Sequence, residues 1–275
     1  RYLVNANAIT ISSSLTIIGD GQGTSIACLD ATGDVFSVTS NGAVSVSNIR
    51  LDSNPVRTSG AYFTFNPSTG ENSNSSFLNC DFANGYDAIN FVKASGWVID
   101  GCSFGGYADC AVIVANTNNN DSGDSCITSS TFAGGIGVLQ TSSGGLKITG
   151  CKFNTGTYGY LGQFATPLAN TSILVISGNS FETHTVANIA INTNNYPFSE
   201  SVITGNQFSV AGSGIETVGN NLSDLTITGN SFHGVASGST GLSLGGGNAF
   251  NIGSNLFSGL STGIVFNANP RAYVY

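Results

Sequence analysis

The chain has 275 residues, 40% of them hydrophobic, which is enough apolar surface for one large packed domain. Its 15 acids against 7 bases give a net charge of −8 and leave no cluster of Lys and Arg to grip a phosphate backbone, which argues against nucleic acid as a partner. No apolar run approaches the roughly 20 residues of a membrane span, so membrane insertion is not expected either.

The 37 Gly, with Asn, Ser and Thr throughout, describe a chain of turns and strands rather than helices. It opens on "RYLVNANAITISSS", where Asn and Ser interrupt the apolar residues, unlike the apolar core of a signal peptide. This abrupt start leads us to expect a domain, residues 1–275, taken from a longer chain. The segments "LTIIGDGQGTSIACLDATGDVFSV" and "VSVSNIRLDSN" follow, strands broken at Gly-rich turns.

From there one phrase recurs: "IDGCSF" ending at Phe104, "ITGCKF" at Phe153, "ISGNSF" at Phe181, "ITGNQF" at Phe208 and "ITGNSF" at Phe232. Its last apolar position falls at Leu51, Phe82, Phe104, Phe132, Phe153, Phe181, Phe208, Phe232 and Phe257, a wandering period of about 26 residues. A second fixed piece follows each Phe: "AINF", "AVIV", "IGVL", "IAIN", "GIET", "GLSL" and "GIVF", alternating as half-buried strands do.

Short strands that cannot bury a face alone must stack on their neighbours. The predicted fold is all-β, a single-stranded right-handed parallel β-helix of about ten coils. Ile227 and Phe232 point inward on successive strands, and Gly229 and Asn230 form the corner between them, since Gly and Asn tolerate left-handed backbone best. Coils stacked about 4.8 Å apart would align Asn179, Asn206, Asn230 and Asn255 in a ladder of side-chain amides. Cys80, Cys102 and Cys151 continue that column as inert core thiols. The six cysteines lack metal-site spacing and neighbouring His, so neither a metal nor another cofactor is expected. Thr128, Thr149, Ser177, Thr204 and Thr228 line up facing outward, as suits residues on a sheet face.

The opening segment, with its Gly-rich turn and following strand pair, resembles the first coils of the pectate-lyase-like superfamily of β-helices, and the "GIxL … ITGNxF" coils look like the same family over nearly the whole chain. The Gly-, Ser- and Asn-rich, Lys-poor texture most resembles the central domain of a bacteriophage tailspike or polysaccharide depolymerase. That resemblance implies a homotrimer on a virion tail, or otherwise a secreted or surface protein, that binds a bacterial surface polysaccharide and hydrolyses it. A non-catalytic adhesin or structural spike is the alternative, with a lyase or epimerase behind it. Neither the calcium cluster and catalytic Arg of pectate lyases nor the paired-Asp signature of polygalacturonases is found.

In such folds the carbohydrate groove lies along the "GIxL" strands. Its outward positions here would include Asn90, Ala190, Asn192, Glu216, Ser243 and Val265, followed by loops rich in Asn, Tyr and Phe that suit sugar hydroxyls and ring faces. Glycoside hydrolysis needs two carboxylates. The first expected catalytic pair is Glu216, central on its strand, with Glu200 at the end of the preceding loop near Tyr196. Asp87 and Asp109, which precede the same strand in adjacent coils, form a second catalytic pair. Asn90, Lys93, Asn192 and Tyr196 are the expected substrate-binding residues. Asp121 and Asp124 could hold a cation, although their spacing does not match a complete calcium loop. Bases are too few for elimination on an acidic polymer, and His184 and His233 are expected at the surface.

Overall fold

Alternation in the recurring phrases sets the architecture, because every second side chain must enter a shared interior. In the computed structural model Ile227, Phe232 and Ile215 are all fully buried, while Thr226, Thr228 and Glu216 between them keep contact with solvent. The structure describes all residues except 1, 5–7, 22, 116–124, 143, 165–172, 194–199, 220–221 and 268–270, and only the backbone at 248 and 271. Among the described residues there is no helix, and hence none long and apolar enough to cross a membrane. Every strand pairing there is parallel, in sheets of 20, 11 and 2 strands.

The chain is a right-handed parallel β-helix of about nine turns, close to the ten coils expected. The sheet of 11 carries the "ITG" strands, such as Ser201–Thr204 and Leu222–Thr228. The large sheet carries two faces. One holds the Phe strands, and the other holds the predicted groove strands, such as Asp87–Phe91, His184–Asn192 and Ser213–Val218.

Two internal columns hold the turns in register. Phe82, Phe104, Phe132, Phe153, Phe181, Phe208, Phe232 and Phe257 stack nearly parallel, with centroids 4.6 to 5.1 Å apart. The asparagine ladder is fully satisfied. Asn179 Nδ2 donates to Asn206 Oδ1 at 3.0 Å, Asn206 Nδ2 to Asn230 Oδ1 at 2.9 Å, and Asn230 Nδ2 to Asn255 Oδ1 at 3.0 Å. Each of these Nδ2 atoms also donates to a backbone carbonyl of an earlier turn, that of Ile148, Ile176 or Ile203. In the earlier turns Cys80, Cys102, Ser130 and Cys151 continue the column; all six cysteines are free thiols, and Ser130 Oγ accepts the Cys102 N–H at 3.1 Å.

The corner divides its labour between its two residues. Gly229 takes the left-handed backbone (φ 65°), as do Asn48, Asn79 and Ser129 at the equivalent place in other turns, while Asn230 serves the ladder. One expectation is corrected: His184 is not at the surface but 3% exposed, its ring packed edge-on to Phe181 and hydrogen-bonded to its own turn.

Candidate active site

The groove face is built by register. Its central outward column runs Thr64, Asn90, Ile113, Leu139, Leu161, Ala190, Glu216, Ser243 and Val265. Of the predicted outward positions, Asn90, Ala190, Glu216, Ser243 and Val265 therefore fall on this line, while Asn192 does not. What the sequence reading missed is that the middle of the line is apolar, from Ile113 to Ala190, with polar groups at either end. The strand Gly156–Gln163, which supplies Leu161, lacks the "GIxL" pattern and was not recognised, since Tyr158 and Tyr160 replace its aliphatic residues.

At one end Glu216 is half-buried in the middle of its strand, beside Ala190 and Ser243. Asn192 occupies the neighbouring outward column next to Val218, and Asn267 Nδ2 donates to Ser243 Oγ at 2.8 Å. Glu200 is exposed and lies just before the strand Ser201–Thr204, on the "ITG" sheet rather than on the groove strands. Its neighbour in the next turn is Asp224, because Ser201 pairs with Leu225. Tyr196, Asp121 and Asp124 lie outside the described residues.

At the other end the structure brings the second carboxylate pair together. Asp87 opens the strand Asp87–Phe91, and Asp109 lies within Ser103–Val114 one turn on. A carboxylate oxygen of each and the Cys110 Sγ all lie within 4.8 Å of one another. Asp87 is 8% exposed, and its Oδ1 accepts the Cys110 N–H at 3.0 Å. Burial pushes its pKa up to about 7, the negative charges of Asp109 and Asp34 adding to the shift while the Cys110 N–H and the Arg57 guanidinium oppose it. Asp109 is half-buried, and its charge holds the proton on the adjacent Tyr86 phenol, raising that pKa. Burial likewise raises the pKa of Cys110, keeping it a thiol.

These three ligand atoms are close enough to share a cation, a grouping that spacing along the sequence did not reveal because the residues come from two turns. Nearby, Asn90 Oδ1 and Thr64 Oγ1, neighbours in the central column, are buried without hydrogen-bond partners. Lys93 is half-buried and donates from Nζ to the Pro67 carbonyl at 3.4 Å.

The fold defines a class, the right-handed parallel β-helices. The A-module of the mannuronan C-5 epimerase AlgE6 of Azotobacter vinelandii is similar, with a TM-score of 0.57 at 12% identity, over 100% of this chain and 88% of that one. So is DFA-IIIase from Arthrobacter chlorophenolicus A6, solved in complex with GF2 (TM-score 0.55, 11% identity, 99% of this chain and 82% of that one). A tailspike protein of the E. coli bacteriophage HK620, solved in complex with a hexasaccharide, matches with a TM-score of 0.53 at 13% identity, over 95% of this chain. The chain spans 58% of that tailspike's length. At such identities the likeness is one of fold. No protein-family model and no curated protein sequence matches the chain.

Proposed function

We propose that this β-helix binds a polysaccharide along its groove face and hydrolyses it with Asp87 and Asp109. The observation that carries the reading is that a carboxylate oxygen of each lies within 4.8 Å of the other, one turn apart. A spacing of ~5 Å suits a retaining glycosidase, in which one carboxyl protonates the leaving oxygen and the other attacks the anomeric carbon. Asp87, whose pKa is pushed up to about 7, is the general acid. The less buried Asp109 is the nucleophile, held by the Tyr86 phenol. Asn90 and Lys93 bind substrate at this end and Glu216 and Asn192 at the far end, with Tyr196 a further binding residue. Glu200 with Glu216 is the competing catalytic pair.

The tailspike solved with a hexasaccharide and the mannuronan epimerase lend support to a saccharide ligand. The tailspike resemblance extends the proposal to a bacterial surface polysaccharide, a homotrimer and a place on an extracellular phage tail. Light scattering checks the assembly: a mass near three times 28.0 kDa supports it, and a monomer mass counts against it.

One observation favours a second reading, a binding spike without catalysis. Asp34 Oδ1 accepts the Ala61 N–H at 3.0 Å just as Asp87 Oδ1 accepts that of Cys110, so Asp87 also has a purely structural use. Incubation with bacterial capsular and exopolysaccharides separates the readings. New reducing ends without unsaturated-uronate absorbance support hydrolysis, unsaturation supports a lyase, and retained binding without either supports the spike. Loss of reducing ends in Asp109→Asn but not in Glu216→Gln would assign the pair, and the converse would transfer it to Glu216 and Glu200.

A further inference from the structure

The "ITG" sheet, away from the groove strands, carries an open cleft of about 550 Å³ that the proposed reaction does not use. Register explains how it forms. Val202, Thr226, Asn251 and Tyr273 make one outward column, and Tyr275 lies two residues beyond Tyr273 on the same face. Between Asn248 and Phe250 the pairing with the last strand, Arg271–Val274, slips by one residue. Ala249 drops out of the ladder there in left-handed backbone (φ 68°), and Asp224 adopts the same conformation (φ 55°) one turn earlier. The lining is thus Asp224, Thr226, Asn251, Tyr273 and Tyr275 around the bulge at Ala249.

Tyr273 on the last strand and Tyr275 just beyond it, 71% and 72% exposed, bring two aromatic rings to the cleft. Beside them stand a carboxylate, an amide and a hydroxyl, which together accept and donate to several hydroxyls at once. The volume falls in the ~300–1,000 Å³ of small-molecule sites. Asp224, with exposed Glu200 in the turn before it, repels anions. A neutral pyranose meets all of these conditions: its C–H face lies on the aromatic surface while its hydroxyls reach the polar rim.

We propose that this cleft is a second, non-catalytic saccharide site for neutral sugar units, remote from the carboxylate pair. On a long polymer it acts as an anchor, since holding the chain at one site raises its effective concentration at the other. The inference stands on the cleft alone and does not require that Asp87 and Asp109 be catalytic.

The test is saturation-transfer NMR on the whole chain, with neutral gluco-, galacto- and manno-configured hexasaccharides as probes and an oligouronate and choline as contrasts. We expect at least one neutral probe to be saturated at its ring C–H protons. Its affinity should weaken about tenfold in Tyr273→Ala, hold in Tyr273→Phe and weaken in Asp224→Asn. Tyr273 is exposed, so its substitution leaves the fold intact, which circular dichroism verifies. Neutral-sugar binding indifferent to Tyr273 and Asp224, a cleft that takes only choline or the oligouronate, or no binding of any neutral probe overturns the proposal. Failure of the groove reading would instead show as absent hydrolysis with this binding intact.

Discussion

Asn206 and Asn230 share three atoms across one turn: Oδ1 of Asn230 accepts both the Nδ2 and the backbone N–H of Asn206, each at 2.9 Å. Removing the Asn206 side chain therefore strands the buried backbone N–H of Asn179, whose Nδ2 keeps only the Ile148 carbonyl, and takes one donor from the Ile176 carbonyl. Asn206→Ala should cost about 2–4 kcal/mol by this mechanism. Asn206→Ser should cost less, because Ser130 already serves the same column by accepting the Cys102 N–H. Guanidinium unfolding of the two variants checks the order, and equal losses would mean that the ladder contributes only by its volume.

Phe232 and Gly214 show a constraint of a different kind. A Cβ at Gly214 would lie 2.7 Å from the Phe232 ring and 2.6 Å from the Gly241 carbonyl, so Gly214→Ala should destabilise by about 1–3 kcal/mol through overpacking. Phe153→Ala, at 0% exposure, should cost about 3–5 kcal/mol. Gly178→Asn at a corner should stay within about 1 kcal/mol, since nothing lies within 4 Å of a Cβ there and Asn48 holds the same backbone conformation. Thermal melts should rank the losses with Phe153→Ala the largest, Gly214→Ala next and Gly178→Asn the smallest.

These contrasts explain what could be read from the chain beforehand. The Phe stack, the ladder and the left-handed corner each draw on a narrow set of residues once per turn, so they repeat visibly. The site does not repeat. Asp87 and Asp109, 22 residues apart, could be placed before the same strand in adjacent coils, but the burial of Asp87 and the nearness of Cys110 emerge only from the pairing. The apolar stretch from Ile113 to Ala190 is hidden because inward and outward positions are both aliphatic in the strands of Ile113, Leu139 and Ala190, while Tyr158 and Tyr160 disguise the strand of Leu161. His184 was misplaced because an imidazole following a Phe reads as surface. In fact its Nδ1 lies 2.8 Å from both the Glu182 carbonyl and Asn188 Nδ2.

Stability should respond to pH through two groups of opposite sign. Burial lowers the pKa of His184 from 6.5 to about 4, so its contribution of about 3 kcal/mol is complete above pH 6.5 and is lost as pH falls towards 4. Asp87 is raised from 3.8 to about 7, so its contribution is complete below pH 3.8 and is lost as pH rises through 7. Asp87→Asn keeps the acceptor for Cys110 but cannot ionise. It should therefore gain stability relative to the parent protein steadily from pH 4 to pH 7, measured by denaturant midpoints. A constant difference across that range would show that Asp87 is not held protonated.

The same ionisation sets an upper limit on activity. If Asp87 is the proton donor, kcat/KM for polysaccharide cleavage should fall about tenfold per pH unit above about 7. Asp87→Asn should lower the rate by at least a hundredfold with binding retained. A rate that is flat from pH 6 to 9 would place the acid elsewhere.

The most direct test of the account is the anomeric configuration of the first product released from a cleaved polysaccharide, followed by proton NMR before mutarotation. Carboxylates within 4.8 Å of one another predict retention, abolished in Asp109→Asn. Inversion, or undiminished cleavage by Asp109→Asn, would contradict the assignment of Asp87 and Asp109 as the catalytic pair.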